Sequence, residues 1–494
     1  MVSYKVKIAI APVRRDFGGM RMAKGGIWSP EAAQDMLQKV LPYIKNTFAN
    51  EHVEFVDLSW FNEENFMYEY SQAYEIAEHF KAEKVDALFI ANINFGNEES
   101  AAKLASLLNV PTLIWSPQEE EFGITETKDI NDPIYGGRLL DGQCGLFAIS
   151  KLLQRYHVTF TEIPTCKVDS PVFAQYFEDF AAVACMIKNF KNMRIMQLGA
   201  RSQAFTSMMY NEDELLEKFG IEVFPFSPTA AVKMAEEYIE TKKDEVDDIV
   251  KEFCSYFPNG GKDYENDESF KKSAAIYLMY KDLFEKTGCS AISLENFSFQ
   301  LGAGGMIDIA LSANHNRFVM FEGDTLAGIT SVIASSATFG EELPIFGEFT
   351  ANHPTNPNAE LIWHTAVYPP AVASHKNFEP YIANVGGRIQ TGLEVEDGEY
   401  AICRLDAMDG KYAMLIGDFK TCDGPFTRQD YMWGEFKDWT KFEQATIYGP
   451  YVHHLIEIKG GQKVVRRLKE FCRYTGIYAD VPDERDTPFC PLYY

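Results

Sequence analysis

A chain of 494 residues exceeds what one hydrophobic core usually supports, and 46% hydrophobic with 14% aromatic residues describes a globular protein of two or three domains. Against 72 Asp and Glu stand only 46 Lys and Arg, a formal charge of -26 that repels phosphate backbones and anionic lipid surfaces. Nucleic acid and membrane partners are therefore excluded, while neutral sugars and cations are not. Lys5 and Lys7 break the apolar alternation near the start, which argues against a signal peptide, and no apolar run reaches the about 18 residues of a membrane span. Nine cysteines without a C-x-x-C pair complete the expectation of a cytoplasmic protein with reduced, buried thiols.

In chain order, KVKIAIAPV (Lys5 to Val13), VDALFIANI (Val85 to Ile93) and VPTLIWSP (Val110 to Pro117) read as strands. Helical periodicity around Pro30 to Thr47 and Tyr70 to Ala82 separates them, so the unit is an open, Rossmann-like parallel sheet without a dinucleotide fingerprint. A second α/β block starts near Ser170 with a helix through Phe177 to Phe190 and strands at Met193 to Ala200 and Ile221 to Ser227. Acidic helices follow over Ala230 to Tyr256 and Glu268 to Lys286. Beyond about residue 345, AELIWHTAVY, EYAICRL and KYAMLIGDF are strand-like with Gly and Asp at the turns, and one helix lies around Val464 to Arg473. That texture predicts an antiparallel, barrel-like sheet. The expected fold is two Rossmann-like parallel-sheet α/β domains, 1–170 and 171–345, followed by a mostly antiparallel β domain, 346–494.

In NRFVMFEGDTLAG (Asn316 to Gly328) a strand ends at Phe321 and a helix begins at Asp324 or Thr325, with Leu326, Ile329, Val332 and Ile333 as its buried stripe. Glu322 is thereby left at the carboxyl end of a strand, the edge where open α/β sheets bind ligands. Asp324 reads as a helix cap. Glu348 lies in the apolar PIFGEF, His364 in LIWHTAVYPP, and His453 with His454 in GPYVHHLIEIKGG. Two carboxylates with imidazoles form a ligand set suited to Mn2+ and similar divalent ions. Each member alone also has an ordinary reading: a dipole-favoured acid at a helix start, a strand-end acid paired with a cation, a hydrogen-bonded core histidine. Adjacent strand residues face opposite ways, so one of His453 and His454 reaches a given ion.

The order Glu-Gly-Asp, Phe-x-Glu, strand histidine and late His-His pair resembles the L-arabinose isomerases, and TLAG is similar to the L-fucose isomerase version of the first motif. NFGNEESA (Asn94 to Ala101) and the strand after Asn192 also look like that family's amino-terminal domains. The resemblance implies metal-binding roles for Glu322, Glu348, His364 and His454, with His453 in reserve. It further implies a homo-oligomer, a trimer or hexamer, whose active sites lie at subunit contacts, with Arg21 in PVRRDFGGMRMAKGG a candidate sugar contact. PVRRDFGGMRMAKGG matches neither subfamily closely, and Tyr-Thr-Tyr is missing after Glu348. The expected reaction is aldose-ketose isomerisation of a free pentose, 6-deoxyhexose or modified hexose through an enediol, with Mn2+ or a similar ion and no organic cofactor. Glu322 and Glu348 share metal binding and proton transfer, and sequence does not say which takes the C2 proton. Two alternatives stand beside it: a noncatalytic sugar-binding or regulatory protein, and a metal-dependent epimerase.

Overall fold

The computed structural model describes residues 2–15, 30–119, 129–131, 140–203, 205–295 and 307–493. Contacts divide the chain into two compact units, residues 4–188 and residues 189–494 together with 1–3.

In the first unit the elements run β1 (Val6–Val13), α1 (Pro30–Phe48), β2 (Val53–Val56), α2 (Gln72–Ala82), β3 (Ala87–Asn92), α3 (Glu98–Leu108), β4 (Thr112–Trp115), α4 (Gly142–Arg155) and β5 (Phe160–Glu162). The strands pair in parallel in the order β2-β1-β3-β4-β5. β3 and β4 are buried at every position, as expected of strands covered on both faces. Asn97 in NFGNEESA starts α3, its side chain accepting from Ser100 N at 3.0 Å. The unit boundary falls in the last turn of α5 (Pro171–Lys191).

The second unit opens with β6 (Arg194–Leu198), α6 (Glu212–Phe219), β7 (Glu222–Phe226), α7 (Pro228–Thr241), α8 (Lys243–Ser255), α9 (Glu268–Thr287), β8 (Ala291–Leu294), α10 (Ile307–Asn314), β9 (Phe318–Met320) and α11 (Thr325–Ser336). Its parallel sheet has the order β7-β6-β8-β9. The stretch read as one helix, Ala230 to Tyr256, is two, because Lys242 leaves helical geometry between α7 and α8. There Tyr238 and Lys242 both bond the Asp282 carboxylate on α9.

Then follow β10 (Ile345–Asn352), β11 (Ala359–His364), the hairpin β12 (Tyr381–Val385) and β13 (Arg388–Gly392), β14 (Glu399–Met408), β15 (Lys411–Thr421), β16 (Asp430–Phe436), α12 (Trp439–Tyr448), β17 (His454–Lys459), α13 (Gly461–Thr475) and β18 (Tyr478–Asp480). The order β14-β17-β10-β11-β16-β15 closes through a β14–β15 pairing, so the expected antiparallel sheet is a closed six-stranded barrel. β18 joins β15 from outside the ring, in parallel.

The helix α11 is buried on all sides, not along a stripe. It packs on β8 and β9 of the parallel sheet and on β14 and β17 of the barrel. A helix between two layers has no solvent face, which explains why its side chains are all uncharged and either apolar or small. Several of its hydroxyls bond back to the helix, and Thr330 both donates to Leu326 O and accepts from Leu405 N of β14.

Candidate metal centre

Glu322 comes to the site through an uncommon backbone. Between β9 and α11 the chain turns within one residue, and Glu322 adopts φ 61°, ψ 15°, the left-handed region that costs a non-glycine residue about 1–3 kcal/mol. Gly323 follows at φ 77°, and a Cβ there would lie 3.0 Å from the Arg201 Cα. Only glycine fits that approach without displacement. The strained turn leaves the Glu322 carboxylate at the carboxyl end of the parallel sheet, buried at 8% exposure.

The barrel supplies the rest. β10 and β17 pair antiparallel with Glu348 opposite His454, so residues 106 apart in sequence meet by strand register. His454 Nε2 lies 3.1 Å from Glu348 Oε1 and 3.3 Å from Glu322 Oε2. His453 Nε2 is 3.7 Å from Glu348 Oε1. One ligand atom from each of Glu322, Glu348, His453 and His454 falls within 4.8 Å of all the others. Lone pairs converging at such distances repel unless a proton or a cation sits among them.

Electrostatics report the same demand. Burial alone would lower His454, but hydrogen bonds with Asp324, Glu322 and Glu348 outweigh it and raise it to about 10. Burial would raise Glu348, yet the imidazoles of His454, His364 and His453 bring it below its ordinary value. A field that holds an extra proton on His454 at neutral pH would hold a divalent metal in that proton's place. The donor set, two carboxylates and two imidazoles, fits such an ion.

Behind His454 stands Asp324. Its Oδ1 caps α11 at Ala327 N, 2.9 Å away, as the sequence indicates. Its Oδ2 faces His454 Nδ1 at 2.9 Å and Arg404 Nη1 at 2.5 Å. The proton on Nδ1 is thereby fixed and the Nε2 lone pair aimed at the ligand cluster, the carboxylate–histidine–metal arrangement. Arg404 and Asp324 are each 1% exposed, and Asp406 completes the network at 3.1 Å. Sequence reasoning missed Arg404 and Asp406, although a lone arginine inside the apolar run EYAICRL was a visible signal that it had a buried partner.

His364 is beside the cluster. Its Nε2 lies 3.6 Å from Glu348 Oε1, and Nδ1 accepts from Thr365 N at 2.8 Å, which assigns the ring proton to Nε2. Burial holds it down at about 4, so it is neutral at physiological pH. In this tautomer its N–H points toward Glu348 from beyond hydrogen-bond reach. His453 supplies the second imidazole of the cluster, so both members of the pair reach it, against the alternation expected of strand neighbours, because β17 begins only at His454. Arg21 lies outside the described residues, as does Lys24. Arg14 pairs with Glu64 at 2.6 Å over the Tyr68 ring, and Arg15 bonds the Phe95 and Gly96 carbonyls.

Among the described residues no helix is long and apolar enough to cross a membrane. Residues 19–191 match the family model described as fucose/sulfoquinovose isomerase, N-terminal domain. No curated protein matches the chain. Among solved structures, a carbohydrate transporter from Acidothermus cellulolyticus 11B in complex with myo-inositol shares 8% identity over 68% of this chain and 88% of its own, at a TM-score of 0.16. A periplasmic sugar-binding protein from Legionella pneumophila shares 10% over 67% and 95%, at 0.14. A glycoside hydrolase family 97 enzyme from Pseudoalteromonas sp. strain K8 in complex with panose shares 11% over 92% and 60%, at 0.17. At such scores these likenesses carry no argument about fold or function. The family match spans under half of the chain, and it supports a sugar isomerase whose amino-terminal region is similar to that domain.

Proposed function

We propose that the protein is a divalent-metal-dependent aldose-ketose isomerase, cytoplasmic and homo-oligomeric, with Mn2+ as the ion. The observation that carries this reading is the convergence of Glu322, Glu348, His453 and His454 within 4.8 Å, with Asp324 orienting His454 from behind. The similarity of residues 19–191 to the fucose/sulfoquinovose isomerase domain supports it from a separate part of the chain. Glu322, Glu348 and His454 hold the ion, His453 completes the set, and His364 lines the site from the side.

A divalent cation bound there supplies Lewis-acid polarisation of the vicinal oxygens at C1 and C2 of an open-chain aldose. The residues do the remainder. Either glutamate, once ionised and not fully engaged in ligation, can take the weakly acidic C2 proton and return it to C1 of the enediol. His364, neutral with its proton on Nε2, stands 3.6 Å from Glu348 Oε1, beyond hydrogen-bond reach, and walls the carboxylate without bonding it. Burial of Glu322 and His454 lowers the local dielectric and strengthens their contacts, while His453 leaves the site open on one side.

Incubation with a panel of aldoses and Mn2+, scored for ketose, tests the proposal. Epimeric aldose as the product would assign an epimerase instead. Absence of any Mn2+ binding in a titration of the purified protein would sink the metal-dependent reading altogether.

A further inference from the structure

Strand β10 outruns one of its neighbours. β17 begins at His454, opposite Glu348, so β10 continues through Asn352 with β11 on one side and no paired strand on the other among the described residues. Between that free edge and α12 runs a groove of about 410 Å3, lined by Thr350, Asn352, Glu360, Trp439, Glu443 and His453 among others. Its volume falls within the roughly 300–1,000 Å3 of small-molecule sites.

His453 belongs both to this lining and to the ligand cluster, so the groove starts where the candidate ion site ends. The lining is chemically selective. It carries the Glu360 and Glu443 carboxylates and no lysine or arginine. Glu360 is 4% exposed and accepts from Asn352 Nδ2 at 2.9 Å. Trp439, 5% exposed, lines the groove with an aromatic side chain. An aromatic side chain beside carboxylate and amide groups is the equipment for a polyhydroxylated chain.

His453 is the exposed member of the cluster and also lines the groove, so the remaining carbons of an aldose bound at the cluster have room to extend past it. We infer that this groove is the subsite for the carbon tail of the aldose, and that Glu360 and Glu443 admit neutral or amino-bearing tails while rejecting carboxylate-, sulfonate- and phosphate-bearing ones. The inference rests on the isomerase reading above. Burial and the neighbouring Glu443 charge push Glu360 up to about 7, so a further negative charge brought into the groove would meet surroundings already unfavourable to an anion.

The test uses the full chain with Mn2+ and compares kcat/KM for L-fucose, a 6-amino-6-deoxyaldohexose, a hexuronate and glyceraldehyde. Hexuronate is expected to be about tenfold or more poorer than the neutral and amino sugars, through KM. Glu443→Lys should narrow that gap by improving the hexuronate. Ile447 lines the groove and is 66% exposed, so Ile447→Trp can add bulk there without entering the core. It should lower the ratio of hexose to glyceraldehyde efficiency about tenfold. Mn2+ titration of each variant checks that the ion site survives. Hexuronate used as well as L-fucose, or both ratios unmoved in variants that bind Mn2+ normally, would overturn the subsite and leave the isomerase reading standing. A wild type that binds Mn2+ but turns over no aldose removes the isomerase reading and the subsite with it.

Discussion

Replacing Asp324 by Asn changes charge and little else, and the structure says where the loss falls. The amide oxygen can still take the Oδ1 place and accept from Ala327 N, so α11 keeps its cap. The Oδ2 position is different: it now holds Arg404 at 2.5 Å and His454 at 2.9 Å, and an NH2 group there would meet two donors. Breaking a buried ion pair by removing one partner costs about 3–5 kcal/mol. Arg404 retains Asp406 at 3.1 Å, which puts the expected destabilisation at the lower end, about 3 kcal/mol. Independently, His454 loses the acceptor that fixes its ring, and loss of such a partner behind a ligating histidine typically costs about 10–100-fold in metal affinity. Guanidinium unfolding in EDTA reads the first effect as a lower midpoint at unchanged slope, and Mn2+ calorimetry reads the second. Arg404→Gln in the Asp324→Asn background should then cost less than in the wild type, because the partners act as one unit. A variant within about 0.5 kcal/mol of wild type that binds Mn2+ normally would reduce Asp324 to a helix cap and refute the network.

Glu322→Gln and Glu348→Gln should each nearly eliminate turnover while the protein stays folded, and in D2O the wild type should place solvent deuterium at C1 of the ketose; activity in both variants without deuterium uptake would end the proton-transfer role. In the metal-free protein His454 is raised to about 10, above its ordinary 6.5, so its proton stabilises the fold fully below about pH 6.5 and that contribution is lost as pH rises through about 10. Because a ligating imidazole must shed that proton, Mn2+ binding near pH 8 should release about one proton and tighten about tenfold per pH unit, which calorimetry in buffers of different ionisation enthalpy measures. Asp324 runs the opposite way: despite burial, Arg404 and His454 hold it below the ordinary aspartate value, so its stabilisation is present above about pH 4 and fades on acidification, visible as a falling unfolding midpoint absent from Asp324→Asn. Gly347→Ala should cost about 1–3 kcal/mol in thermal or denaturant unfolding, since a Cβ there would meet Ile362 Cγ2 at 2.5 Å and Glu457 Oε2 at 2.7 Å.

The sequence by itself determined the local matters. Period-two and period-3.6 apolar patterns are enough to place β1, β3, β4, β6 and β7 and to announce the change to an antiparallel domain, because burial on a strand or helix face is written in neighbouring residues. Glu322, Glu348, His364 and the His453–His454 pair were legible as ligand-type residues at strand ends, since such groups are conspicuous in apolar surroundings. What only the tertiary structure decided is which of them share a point in space. Register across β10 and β17 puts Glu348 against His454, a left-handed residue turns Glu322 toward them, and one carboxylate, Asp324, serves a helix start, an arginine and a histidine at once. Arg404 lies 80 positions from Asp324, and no local pattern encodes that distance. Nor does a pattern show that α11 is enclosed by two layers, or that β10 runs past the start of β17 to open a groove. Those follow from closing the barrel against the parallel sheet, where long-range packing and the cost of burying charge unpaired choose the partners.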